Sequence, residues 1–208
     1  MYYLSNTEIR DLEVKANDIR QSIIEMLVAA GSGHTAGPLD MADIFALLYF
    51  SVLKHDPKNP GWEERDRLVL SAGHICPVLY AAMAHSGYFP VEELTTLRKL
   101  GSRLQGHPHK EMLPGIESSS GPLGSGLSQA VGMALAERMD NPYTSKFVYC
   151  VTGDGELQEG QIWEAAMLAG KEQLHNLVVI VDRNAIQIDG YTKDVMPLES
   201  LRGKFESF

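Results

Sequence analysis

Two apolar runs, "KFVYCVTG" ending at Gly153 and "NLVVIVDRN" ending at Asn184, constrain this chain more than any other feature. Between them lies "GQIWEAAMLAGKEQ", whose apolar residues recur at helical spacing. Two β-rich runs joined by one helix make a βαβ unit, and strands apolar throughout belong to a parallel sheet covered on both faces. The expected class is α/β, a doubly wound and mostly parallel sheet with helices on both faces. Earlier segments agree with this. Thr7 can cap a helix whose apolar positions Ile9, Leu12, Ala16, Ile19, Ile23, Met26 and Leu27 keep helical spacing, with a stop near Gly31. A second helix is expected to start at Asp40 and carry "MADIFALLYFSVL", apolar nearly all round as a buried helix is. "RLVLS" reads as a strand, 76–86 and 91–100 as helices, "LSQAVGMALAERM" as another, and the chain closes on a helix-like "LESLRGKFESF".

Open α/β sheets hold ligands outside the carboxyl ends of their strands. "TGDG" and "DRNAI" both stand at such ends, so Asp154 and Asn184 are expected to meet in space. The first of these loops is acidic, with Asp154, Glu156 and Glu159 close together, and bare carboxylates repel phosphate. A carboxylate and a carboxamide are hard oxygen donors of the kind Mg²⁺ takes, together with phosphate oxygens and water. A bound metal reverses the local electrostatics, so an acidic loop can hold a diphosphate through it. Alone, Asp154-Gly155 is a common turn pair and Asn184 an ordinary turn cap. Their pairing at successive strand ends favours the metal.

At 208 residues the chain is long enough for one domain with a substantial core. A formal charge of −9 disfavours nucleic acid or an anionic membrane as the main partner. No apolar run approaches the ~20 residues that span a bilayer, and the first segment is too charged for a signal peptide. The only cysteines, Cys76 and Cys150, lie within apolar runs and make no disulfide framework. A cytoplasmic protein is expected.

Residues 101–126 form a long segment rich in glycine and proline, the kind of irregular stretch that is usually functional inside a compact domain. His107 lies in it. His34 follows a helix end and His74 follows a strand end, positions where ligand-facing residues collect. His55, His85, His109 and His175 fall in polar loops or at helix ends and are expected to be solvated.

A GDG after one strand and an Asn after the next resembles the thiamine diphosphate signature. The whole series "SGHTAGPLDMAD", "RLVLSAGH", "GSRLQGHP", "SSSGPLGSGLSQAVGMALA", "GDGELQEGQIWEAA" and "DRNAIQIDG", in that order, is similar to the cofactor-binding part of transketolases. The resemblance implies thiamine diphosphate and Mg²⁺, with Asp154, Asn184 and the Ile186 carbonyl as metal ligands and Gly153 against the diphosphate. It implies Gly121 and the Leu123 carbonyl near the aminopyrimidine, and His34, His74 and His107 along the substrate channel. Glu159 and Glu164 would lie at a dimer interface linking two active sites; on their own they read as acids placed against a helix dipole. Thr35, Asp40 and Ala185 depart from the family pattern without removing a ligand, and bear on substrate preference.

The same resemblance points to something absent. Transketolases keep the glutamate that protonates the aminopyrimidine in a second, pyrimidine-binding domain across the dimer interface, and no segment here is similar to it. Residues 1–208 are therefore expected to be one cofactor-binding domain, short at its C-terminal end, of a split transketolase. Its partner would be a C-terminal subunit carrying the pyrimidine-binding domain, in a homodimer or heterotetramer that acts on sugar phosphates. The alternatives are the cofactor half of a deoxyxylulose-phosphate synthase or 2-oxoacid dehydrogenase, or a binding module without turnover.

Overall fold

Ser5 opens the longest helix, α1 (Asn6–Ala30), through a reciprocal cap. Its hydroxyl accepts from the Glu8 N–H at 3.3 Å, and the Glu8 carboxylate accepts from the Ser5 N–H at 2.7 Å. The cap expected at Thr7 is thus displaced to Ser5, because Ser-x-x-Glu satisfies two free donors at once and Thr7 has no such partner three residues on. The helix stops at Gly31, which takes the left-handed conformation (φ 66°) that glycine adopts without steric cost.

The computed structural model describes residues 3–208, and they fall into two compact units. One contains the chain up to Arg65 together with His74–Ile116. After α1 it continues through α2 (Ala36–Asp40) and α3 (Ala42–Leu47), then a wider π-helical turn over Leu48–Val52. The single helix expected from Asp40 is therefore broken at Met41, whose ψ of 2° leaves the helical range, and the helical backbone starts four residues earlier. α4 (Cys76–Ser86) follows, ended by Gly87 at φ 99°. The helix expected over 91–100 is only a 3₁₀ stretch, Val91–Thr96. α1 packs against α3 and α4, and Ile19, Ile23, Met26, Phe45, Val78 and Met83 are fully buried. Each such side chain stabilises the fold by about 1.5–3 kcal/mol.

The second unit contains Asp66–Gly73 and Glu117–Phe208. Among the described residues its main sheet has three parallel strands, β1 (Arg67–Leu70), β2 (Val148–Gly153) and β3 (Leu177–Asp182), in that spatial order. α5 (Ser125–Asp140) precedes β2, and α6 (Gly160–Lys171) makes the crossover from β2 to β3. Val69, Val148, Cys150, Leu127, Val131, Ile162 and Leu174 form the core between sheet and helices. The α/β class and the parallel pairing are as expected. A short hairpin of β4 (Ile186–Gln187) and β5 (Gly190–Tyr191) was not foreseen, since each strand has only two residues. α7 (Thr192–Val195) and α8 (Leu201–Glu206) complete the unit. Among the described residues no helix is long and apolar enough to cross a membrane.

Candidate functional site

The β2–β3 register sets Gly153 beside Asp182, so the loops leaving both strands start side by side. The Asp154 N–H donates to the Asp182 carbonyl at 2.9 Å, which ties the loops together. The Asp154 side chain is only 1% exposed. Its Oδ1 accepts from the Gly155 N–H at 2.8 Å. Its Oδ2 accepts from the Ala185 N–H at 2.8 Å and Arg183 Nη1 at 2.9 Å, with the Thr192 hydroxyl at 3.5 Å. Asp154 and the Asn184 segment are thus brought together as expected, through the residues on either side of Asn184. The Asn184 carboxamide accepts from the Ile186 N–H at 3.0 Å and donates to Asp182 Oδ2 at 3.2 Å. Ala185 has φ 68°, a left-handed conformation that is strained for any residue with a Cβ. Its bond to Asp154 helps hold it there.

A second carboxylate organises the surroundings. Glu156 is 2% exposed, and three donors from three separate segments converge on it. Oε1 accepts from the Ser71 hydroxyl at 2.5 Å and the Gly124 N–H at 2.7 Å, and Oε2 from the Gly153 N–H at 3.1 Å. Ser71 Oγ accepts in turn from the Gly126 N–H at 3.1 Å. Burial lifts the Glu156 carboxyl above its ordinary range, against the lowering effect of these three bonds. A Cβ on Gly126 would lie 2.6 Å from the Ser71 Cα, so only glycine lets α5 start this close to the end of β1.

Gly121 and Leu123 lie in the turn that leads into α5. The Leu123 carbonyl accepts from Gln161 Nε2 at 3.1 Å, while a Cβ on Gly121 or Gly153 would meet open space. Ser120 Oγ, beside Gly121, is buried without a hydrogen-bond partner. Glu159 is the N-cap residue of α6 and Glu164 lies in its second turn; both are exposed.

In the other unit, the His34 and His74 rings meet edge to face with centroids 4.9 Å apart. His107 lies close enough to both for its charge to be felt. Burial first, then His34 and His107, push His74 down to about 4. Burial, His34 and Arg98 push His107 below its ordinary value. His74 is therefore neutral at neutral pH, able to donate from one ring nitrogen and accept at the other. The other histidines divide. His109 and His175 are exposed as expected. His55 and His85 are not free in solvent: His55 bonds the Tyr49 carbonyl at 2.8 Å and the Tyr88 hydroxyl at 3.1 Å, and His85 bonds the Ser22 hydroxyl at 2.9 Å.

Three residues went unread in the sequence. Arg98 stands beside the histidine cluster with φ 60°, and a Cβ on Gly106 would lie 2.9 Å from its Nε. Glu156 was counted only as loop charge. Arg183, next to Asn184, sits on Asp154. The glycine of "QGHP" was a usable signal for a close neighbour at Gly106; nothing local announced the other two.

These features fit the group the sequence points to. Asp154 and Asn184 offer hard oxygens at adjoining strand ends, and Asp154 Oδ1 has a single hydrogen bond. The open space before Gly153 and Gly121 and the orphaned Ser120 hydroxyl suit a ligand with phosphate and ring polar atoms. Among the described residues no cluster of three or more His, Cys, Asp or Glu could hold a metal. A site built from Asp, Asn and a backbone carbonyl does not need one.

The parallel α/β sheet with its acidic strand-end loop is consistent with a thiamine diphosphate-binding fold, and the family match gives that class. Residues 12–208 match the family described as transketolase, thiamine diphosphate binding domain, and the chain belongs to it, a transferase by class. It is 50% identical over 199 residues to the 6-deoxy-6-sulfo-D-fructose transketolase subunit SqwG of Clostridium sp. (strain MSTE9), covering 95% of this chain and 71% of that one. It is 41% identical to one of the apulose-4-phosphate transketolase subunits of Phocaeicola vulgatus, covering 97% and 70% respectively. Among solved structures, the transketolase of Campylobacter jejuni superposes with a TM-score of 0.88 at 39% identity, covering 98% of this chain. The chain spans 32% of the length of that transketolase and 30% of the one from Leishmania mexicana, also at a TM-score of 0.88.

Proposed function

We propose that the chain supplies the diphosphate and metal half of a two-part transketolase. With a separate subunit carrying the pyrimidine-binding domain, it would move a two-carbon ketol unit from a ketose phosphate to an aldose phosphate. Three relatives of which this chain covers 71%, 70% and 73% are named as transketolase subunits, which supports the split arrangement. One observation carries the reading: a buried carboxylate, Asp154, held at paired strand ends against the segment of Asn184.

Residues 1–208 act in this reading as one cofactor-binding domain. Asp154, Asn184 and the Ile186 carbonyl hold Mg²⁺, with Gly153 against the diphosphate and Gly121 and Leu123 beside the aminopyrimidine. Bound thiamine diphosphate supplies carbanion stabilisation, which no side chain here offers. His34, His74 and His107 bind substrate hydroxyls and the donor carbonyl oxygen and move protons between them. The lowered value of His74 keeps it neutral, so that it can donate a hydrogen bond from one ring nitrogen and accept one at the other. Glu159 and Glu164, exposed on α6, meet a second copy or the partner, in a homodimer or heterotetramer. A cytoplasmic enzyme of sugar-phosphate metabolism, such as the pentose phosphate pathway, is the setting that follows.

The test is reconstitution. The purified chain should show no measurable ketol transfer from a ketose-phosphate donor, and gain it when mixed with a pyrimidine-binding subunit. General acid–base help of the kind the missing glutamate gives is commonly worth ~10²–10⁴-fold. Robust turnover by the chain alone would overturn the split-enzyme reading.

A further inference from the structure

The Asp154 carboxylate already has a cation on it. Arg183 Nη1 donates to Asp154 Oδ2 at 2.9 Å, while Nε and Nη2 of the same guanidinium donate to Glu199 Oε1 at 3.0 and 2.5 Å. The two acceptors differ sharply. The Asp154 side chain is 1% exposed and that of Glu199 62%. A buried carboxylate without a counter-charge is costly, and a guanidinium is charged at every working pH. Arg183 therefore offsets the cost of burying Asp154.

The backbone fixes this pairing. Arg183 lies between Asp182, whose carbonyl accepts from the Asp154 N–H, and Asn184, and the Ala185 N–H reaches the same Oδ2. Together with the Thr192 hydroxyl these donors fully engage Oδ2, whereas Oδ1 holds only the Gly155 N–H. A divalent ion on Asp154 would share one negative charge with the guanidinium, and the two cations repel. Arg183 has somewhere else to stay, because two of its N–H groups already rest on Glu199.

We infer that Arg183 is a resident counter-cation, which neutralises Asp154 in the metal-free protein, competes with the divalent ion for it, and is released onto Glu199 when metal loads. The inference rests on the reading of Asp154 as a metal ligand. It makes metal affinity adjustable by a residue that touches no metal.

The test is a titration of the full chain with Mn²⁺, free ion read by electron paramagnetic resonance, with and without thiamine diphosphate. Arg183→Gln should bind Mn²⁺ alone about tenfold more tightly, towards the low end of what one close charge pair is worth near a protein surface. Arg183→Lys, which keeps the charge, should stay near the parent. Mn²⁺ should also raise the melting temperature of Arg183→Gln more than that of the parent. Unchanged or weaker Mn²⁺ binding by Arg183→Gln, with the parent still binding, overturns the inference alone and makes Arg183 a support for the carboxylate. No Mn²⁺ binding by any of the three, even with thiamine diphosphate, overturns the metal reading of Asp154 and this inference with it.

Discussion

Replacing Glu156 by alanine removes one acceptor from three donors at once. The Ser71 hydroxyl and the Gly124 and Gly153 N–H groups all point at a carboxylate 2% exposed. A buried donor left unpaired costs about 1–3 kcal/mol, but three neighbouring losses do not simply add, since water can enter the space. Relief of the buried charge offsets part of the loss, as the upward displacement of this carboxyl indicates. A net destabilisation of about 3 kcal/mol is expected, equivalent to roughly 6–12 °C in melting temperature for a chain of this size. Glu156→Gln should fall between. Its carbonyl can still accept from Ser71 and Gly124, while its amide would oppose the Gly153 N–H, a loss of about 1–2 kcal/mol. Urea denaturation followed by circular dichroism gives the order parent, Gln, Ala if the midpoint moves at constant slope. Thiamine diphosphate affinity should weaken in the same order, because the three segments held by Glu156 border the proposed cofactor site. An alanine variant within about 0.5 kcal/mol of the parent, the range of an ordinary surface change, would refute the hub.

His74 gives a pH dependence with a definite sign. Its value in the fold is about 4, below the ordinary 6.5, so its stabilising contribution is complete above pH 6.5 and lost as pH falls towards 4; thermal unfolding of His74→Gln should lose less stability between pH 7 and pH 5 than the parent. Alanine at His34, His74 or His107 should lower kcat or raise KM in the reconstituted enzyme with thiamine diphosphate affinity little changed, and unchanged kinetics at all three would return them to structural roles. Burial pushes Cys76 up to about 12 and raises Cys150 as well, so a thiol reagent should label neither in the native chain and both after unfolding; rapid native labelling would contradict their burial.

What the sequence made legible was local or periodic. "FVYCVTG" and "NLVVIV" announced β2 and β3 because unbroken apolar runs have few other uses, and their βαβ connection alone brought Asp154 towards Asn184. The stop of α1 at Gly31 and most of the irregular 101–126 segment were readable from glycine content, although α5 begins at Ser125, inside it. Boundaries that depend on competition between neighbours were not: Ser5 displaced Thr7 as cap, and the helix at Asp40 broke at Met41. Long-range polar pairing was the least legible. Glu156 finds Ser71 and Gly124 at separations of 85 and 32 residues, and His85 finds Ser22 at 63. A side chain's partners at that range are set by the packing of whole elements, and no window of sequence contains them.

The central claim, that this chain holds a diphosphate through a metal on Asp154, is tested most directly by calorimetric titration of thiamine diphosphate into the chain complemented with its partner subunit. Binding should be present with Mg²⁺, lost on chelation, and lost in Asp154→Ala, with a circular dichroism spectrum that shows the variant still folded. Equal affinity without metal, or undiminished binding by a folded Asp154→Ala, would contradict it.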